Sequence, residues 1–177
     1  MRVHHEIELD WQPFELRPGA PETGWPVPEH IRARMKSPDN PLRQRARALG
    51  IVMVEREHVP SSRRAHECTE YARAEGKLAP FHAAVLAAYW SEGKDLHDWD
   101  VLAACATGAG LDAAAMRASV EAGAYKAVVD ERVAAARELG IHAVPTFIFG
   151  DRFAVEGAQT LDVFEHVMQR LAAAPPP

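Results

Sequence analysis

The chain has 177 residues, 47% hydrophobic and 25% charged, with a formal net charge of −5. That length supports one ordinary core, and the acidic balance argues against nucleic acid or an anionic membrane surface, both of which favour a basic face. No apolar run approaches the ~18 residues that cross a bilayer. The polar, acidic start MRVHHEIELDW lacks a secretory leader's charged-then-apolar pattern, so the reading is a cytoplasmic globular protein.

Residues 3–9, VHHEIEL, alternate with period two: Val3, His5, Ile7 and Leu9 share one side of an expected strand, and Pro13 ends regular pairing. The stretch RPGAPETGWPVP, residues 17–28, is dense in Pro and Gly and reads as a loop. Residues 28–36 suit a short helix with Pro28 in its first turn. In NPLRQRARALG, Asn40 is placed to cap a helix, Pro41 fits its first position and Gly50 its end. IVMVE, residues 51–55, is expected to be briefly extended.

From Ser61 the pattern becomes helical. Ser61 or Ser62 caps RRAHECTEYARAEG, with Ala65, Cys68 and Ala72 on one face and Gly76 as the stop. In LAPFHAAVLAAYWSEG two stripes recur at helical spacing, Phe81/Val85/Tyr89 and Leu78/His82/Leu86. Asp98 and Asp112 cap the next two helices. A longer one runs from about Tyr125 to Leu139 and stops at Gly140.

Beyond Gly140 the periodicity turns extended. VPTFIFG, DR and FAVEG read as a β-hairpin about residues 150–152. Pro145 has no N–H for a ladder and therefore opens the strand; a Pro in such a turn is where cis peptide bonds concentrate. Thr160 caps a last helix with Phe164, Val167, Met168 and Leu171 as its core face. The chain shows no repeat and no dividing linker. It reads as a single domain over 1–177, in which a mostly helical block, 28–139, is inserted before the hairpin and closing helix of 140–171.

The segment VPTFIFGDRFAVEGAQT resembles the second half of the thioredoxin fold. With WQPFELRPGAP, SSRRAHECTEYARAEGK, FHAAVLAAYWSEGKDLHD and AARELGIHAVPTF, it resembles the DsbA-like family of FrnE type. Relatives in that family include 2-hydroxychromene-2-carboxylate isomerases and kappa-class glutathione transferases. The likeness runs from about residue 6 to residue 171. It implies an α/β, thioredoxin-like fold with an inserted helical domain, and a thiol–disulfide oxidoreductase or isomerase acting on a peptide or protein thiol, or on glutathione as a substrate rather than a cofactor. Family members begin with a strand, a CxxC (or Ser variant) and a helix, preceding the strand that here starts at Val3. Residues 1–177 contain no CxxC, so the N-terminal βα unit is expected to be absent from the fold.

The resemblance assigns the substrate side of the site. The backbone of Val144, beside Pro145, pairs with an extended peptide or glutathione. Ala158 and Gln159, in GAQ, offer N–H groups to a ligand carboxylate. His142 is near enough to tune a thiolate or donate a proton.

No catalytic residue is assigned. Disulfide exchange needs a thiolate, which a helix N-terminus supplies by lowering the Cys pKa; Cys68 lies well inside its helix and Cys105 is mid-helix among apolar neighbours. Both read as buried, small hydrophobes. No metal is assigned either: His66 and Cys68 are two apart on a helix and do not share a face, and His4 and His5 lie on opposite sides of a strand. Arg63 and Arg64 read as solvated charges. An unpaired sheet edge and an exposed apolar face are expected, to be repaired by pairing 3–9 directly with 146–149 or by association into a homo-oligomer. The alternatives are a non-catalytic module that binds a peptide or partner, and a glutathione-dependent isomerase or transferase relative.

Overall fold

The computed structural model describes residues 6–21 and 23–173. The chain separates into two compact units, one formed by Arg17–Glu131 and the other joining Met1–Leu16 to Arg132–Pro177.

In the first unit β1 (Trp25–Pro26) pairs antiparallel with β2 (His58–Val59). Residues 17–28, expected as a loop, thus hold β1, while 51–55, expected as extended, forms no strand; the ladder is a two-residue bridge between distant positions. Gly24 explains where it forms. With φ +75°, it lets the chain pass so close that an added Cβ would meet the Val59 carbonyl oxygen at 2.4 Å.

Helix α1 (Glu29–Lys36) follows Pro28. Helix α2 (Pro41–Ala48) is capped by Asn40, whose Oδ1 accepts from the N–H groups of Leu42 and Arg43. Then come α3 (Arg63–Ala74), α4 (Leu78–Trp90), α5 (Trp99–Gly108), α6 (Ala113–Glu121) and α7 (Lys126–Glu138). Asp98 and Asp112 cap α5 and α6 with their carboxylates. The α3 cap differs from either serine considered alone. Ser62 precedes the helix but makes no capping side-chain bond, while the Ser61 hydroxyl accepts from the Arg63 N–H at 3.4 Å.

The core of this unit lies among α3–α6. Phe81, Leu102, Met116 and Cys68 are completely buried, with Ala65, Ala72, Val85 and Val120 around them. Each large side chain so buried contributes about 1.5–3 kcal/mol of hydrophobic stabilisation. Of the two α4 stripes, Phe81 and Val85 carry the core, and Leu86 of the other stays 41% exposed. Arg63 and Arg64 are not solvated charges. Arg63 bonds Glu67 at 2.7 Å, Asp130 at 2.5 Å and the Lys126 carbonyl at 2.8 Å. Arg64 donates to the His97 carbonyl and stacks over Trp99 at 4.7 Å. Both are struts between helices.

In the second unit β3 (Thr146–Phe149) and β4 (Phe153–Glu156) form the hairpin, paired Thr146 with Glu156 through Phe149 with Phe153. Gly150 and Asp151 both take positive φ, 53° and 54°, and the Arg152 N–H reaches the Phe149 carbonyl at 3.1 Å. This is the primed turn that matches strand twist. Helix α8 (Leu161–Ala173) covers one face: Phe164 meets Phe147 edge-on at 4.9 Å and Phe149 at 6.0 Å. Phe164, Val167, Met168 and Leu171 are its half-buried side.

The expected strand at 3–9 is not found where it can be seen. Residues 6–9 belong to no strand, and the rest of it, with His4 and His5, lies outside the described residues. The direct pairing of 3–9 with 146–149 does not form over the described residues, where β3 pairs only with β4. Alternation marks a segment able to join a sheet; without an adjacent edge there is no ladder to join. Instead Gln12 accepts from Arg132 at 2.6 Å and the Glu15 carbonyl from Arg137 at 3.4 Å, which tie this segment to the C-terminal half of α7.

Candidate functional site: the Val144–Pro145 loop

The loop that enters β3 is organised by backbone geometry. The Val144–Pro145 peptide bond is cis. The Pro145 carbonyl accepts from the Gly157 N–H at 2.7 Å, one step beyond the last hairpin pair, and the Thr146 hydroxyl donates to the Ala143 carbonyl at 2.7 Å. Pro145 and the Gly157–Gln159 turn are therefore neighbours. Gly157 makes this possible with φ +82°, a left-handed conformation that turns the chain out of β4.

Val144 is 47% exposed, and neither its N–H nor its carbonyl has a hydrogen-bond partner among the described residues. His142 is exposed in the same loop. Ala158 and Gln159 are exposed as well; neither is without a partner, and the bonds of Gln159 are within its own turn. Its N–H donates to the Gly157 carbonyl at 3.0 Å and its side-chain amide to the Glu156 carbonyl at 2.9 Å. Asp162 occupies the first turn of α8 and meets the positive end of that helix dipole. The loop thus offers a free backbone pair at Val144, and a less open anion position at Ala158–Gln159. The sequence signal for the first is the V-P-T step itself; the Gly157–Pro145 bond that holds the loop has no local signature.

Cys68 and Cys105 are free and buried in the helical core. Burial, with the Glu67 charge adding to it, pushes the Cys68 thiol up to about 12; burial also raises Cys105. The raised pKa keeps the Cys68 thiol protonated at pH 7. No group of three or more His, Cys, Asp or Glu is placed to hold a metal among the described residues, and no described helix is long and apolar enough to cross a membrane.

A proline-opened hairpin closed by a helix, preceded by a helical block, defines an α/β protein of thioredoxin-like fold. Residues 1–169 match the DsbA-like thioredoxin domain, and the chain belongs to that family. It is 32% identical over 164 residues to YwbO, an uncharacterised protein of Bacillus subtilis (strain 168), covering 90% of this chain and 80% of that protein. Among solved structures it is similar to a probable DsbA oxidoreductase from Streptomyces coelicolor, with TM-score 0.81 and 26% identity over 93% of this chain and 75% of that one. It is also similar to a 2-hydroxychromene-2-carboxylate isomerase, with TM-score 0.66 and 29% identity over 74% of this chain and 64% of that one.

Proposed function

We propose that the protein serves thiol–disulfide exchange of the DsbA/FrnE type, and that Val144 and Pro145 dock the extended backbone of a peptide, a protein thiol or glutathione. The observation that carries this is the half-exposed Val144 beside Pro145, whose N–H and carbonyl have no partner among the described residues. An extended ligand satisfies both at once, adding a strand-like pair. Ala158 and Gln159 form the carboxylate end of the same site, with the Gln159 N–H turning from the Gly157 carbonyl to the ligand. His142 is the proton donor at its rim. The helical block of 28–139 is an insertion in one thioredoxin-like domain that acts in the cytoplasm.

Residues 1–177 carry no CxxC, and their two thiols are buried. By themselves they do not exchange disulfides and serve as the binding half of the chemistry. The test pairs two assays on the 177-residue chain. In insulin reduction it stays at the free-cysteine background. In a ¹H–¹⁵N titration, an extended cysteine-containing peptide shifts the amides of Val144 and Thr146. Turnover in the first, or no shift at these positions in the second, overturns the proposal.

A second reading, a glutathione-dependent isomerase or transferase relative, is favoured by the likeness to the 2-hydroxychromene-2-carboxylate isomerase. It predicts that glutathione shifts Val144 and Ala158 together while the peptide does not. A non-catalytic, partner-binding module predicts peptide shifts alone, with no dependence on the peptide's thiol. The outer edge of β3 is unpaired among the described residues, and Ile148 on its uncovered face is 44% exposed; we further propose that two copies associate through it.

A further inference from the structure

Helix α2 and the segment after it line a groove of about 410 Å³, within the range of small-molecule sites. Ala46, Ile51, Val52 and Met53 give it an apolar wall, two arginines line it, and no carboxylate does. Ile51 and Val52 are left 47% and 64% exposed.

The two arginines are not alike. Arg43 is fixed in place: it donates to the Met35 carbonyl at 3.2 Å, the Met53 carbonyl at 2.7 Å and Glu55 at 3.3 Å. Arg47 is exposed, and its guanidinium makes no hydrogen bond or ion pair among the described residues. The surroundings share its sign. Residues 29–56 hold seven Lys or Arg and three Asp or Glu, in a chain of net charge −5. Basic residues in the last turn of a helix complement its dipole. That accounts for a cation at Arg47, but not for an open apolar wall beside it.

We infer that this groove binds an amphiphilic carboxylate, a medium-chain aliphatic acid whose head pairs with Arg47 and whose chain lies along Ala46, Ile51, Val52 and Met53. Charge complementarity selects the head. The apolar wall selects the tail by taking its methylenes out of water. The reading is independent of the Val144 loop.

The test is a ¹H–¹⁵N titration of the full chain with decanoate below its micellar range, and with decanol as the uncharged control. Decanoate is expected to shift amides between Arg43 and Met53 and to bind at least tenfold more tightly than decanol. Arg47→Glu and Val52→Asp, both at exposed positions, are each expected to weaken it at least tenfold, with thermal melts confirming that the variants fold. Equal binding of decanol, unchanged binding by Arg47→Glu, shifts confined to 144–149, or no shift at all overturns the inference. So does an acidic peptide that shifts the same amides and that decanoate does not displace.

Discussion

The Gly157 N–H donates to the Pro145 carbonyl across 2.7 Å, binding the exit of β4 to the entrance of β3. Val144, one residue earlier, keeps its N–H and carbonyl without a partner among the described residues. The Gly157–Pro145 bond depends on φ +82° at Gly157, where an L side chain is disfavoured whatever the space around it.

Gly157→Ala is therefore expected to lower stability by about 1–2 kcal/mol and to weaken peptide-induced shifts at Val144. Urea unfolding and the amide titration measure the two effects. An unchanged midpoint would show that the turn does not need its left-handed residue.

Removing the Thr146 hydroxyl tests the other side of the loop. Thr146→Val keeps the shape but deletes the 2.7 Å bond to the Ala143 carbonyl, with an expected loss of about 1 kcal/mol in urea unfolding. A loss well below that would mean water replaces the hydroxyl.

The thiols give a direct chemical readout. With Cys68 wholly buried and its thiol pushed up to about 12, Ellman's reagent is expected to find neither cysteine in the folded chain at pH 7 and both after denaturation. Rapid reaction of either in native buffer would contradict the buried core.

Gly24→Ala addresses the small sheet. A Cβ there would lie 2.4 Å from the Val59 carbonyl oxygen, so the β1–β2 pair must part. The expected cost is about 2–3 kcal/mol, read as a lower urea midpoint together with loss of exchange protection at Val27, whose N–H now meets the Glu57 carbonyl at 2.7 Å.

Burial lowers the pKa of His82 on α4 from its ordinary 6.5. The folded state then holds the proton less tightly than the unfolded chain, so this group's stabilisation is complete above pH 6.5 and declines as pH falls toward the folded value. Melting temperatures at pH 7.5 and 5.5 are expected to drop, and His82→Phe to flatten the drop. An equal slope in the variant would assign the effect to other groups.

Local chemistry determined most of the helical architecture. Asn40, Asp98 and Asp112 cap helices because a short carboxylate or amide reaches the N–H two residues ahead, and for Asn40 and Asp112 also the one three ahead, a bond wholly within one turn. The hairpin was equally legible, since its turn needs only Gly150 and Asp151 to accept positive φ, and so was the closing helix with Phe164 inward. The V-P-T step marked the loop of the candidate site. Tertiary structure decided the rest. Residues 6–9 alternate like a strand yet join none, because a strand needs a partner edge that no local pattern supplies. Trp25–Pro26 and His58–Val59 pair across more than thirty residues, which no window along the chain can see. Of two equal stripes on α4, packing chose Phe81 and Val85, and it turned Arg63 and Arg64 from surface charges into struts. Capping and turn preferences act over a few bonds and are written in neighbouring residues; burial and strand pairing act through space, so only the folded chain settles them.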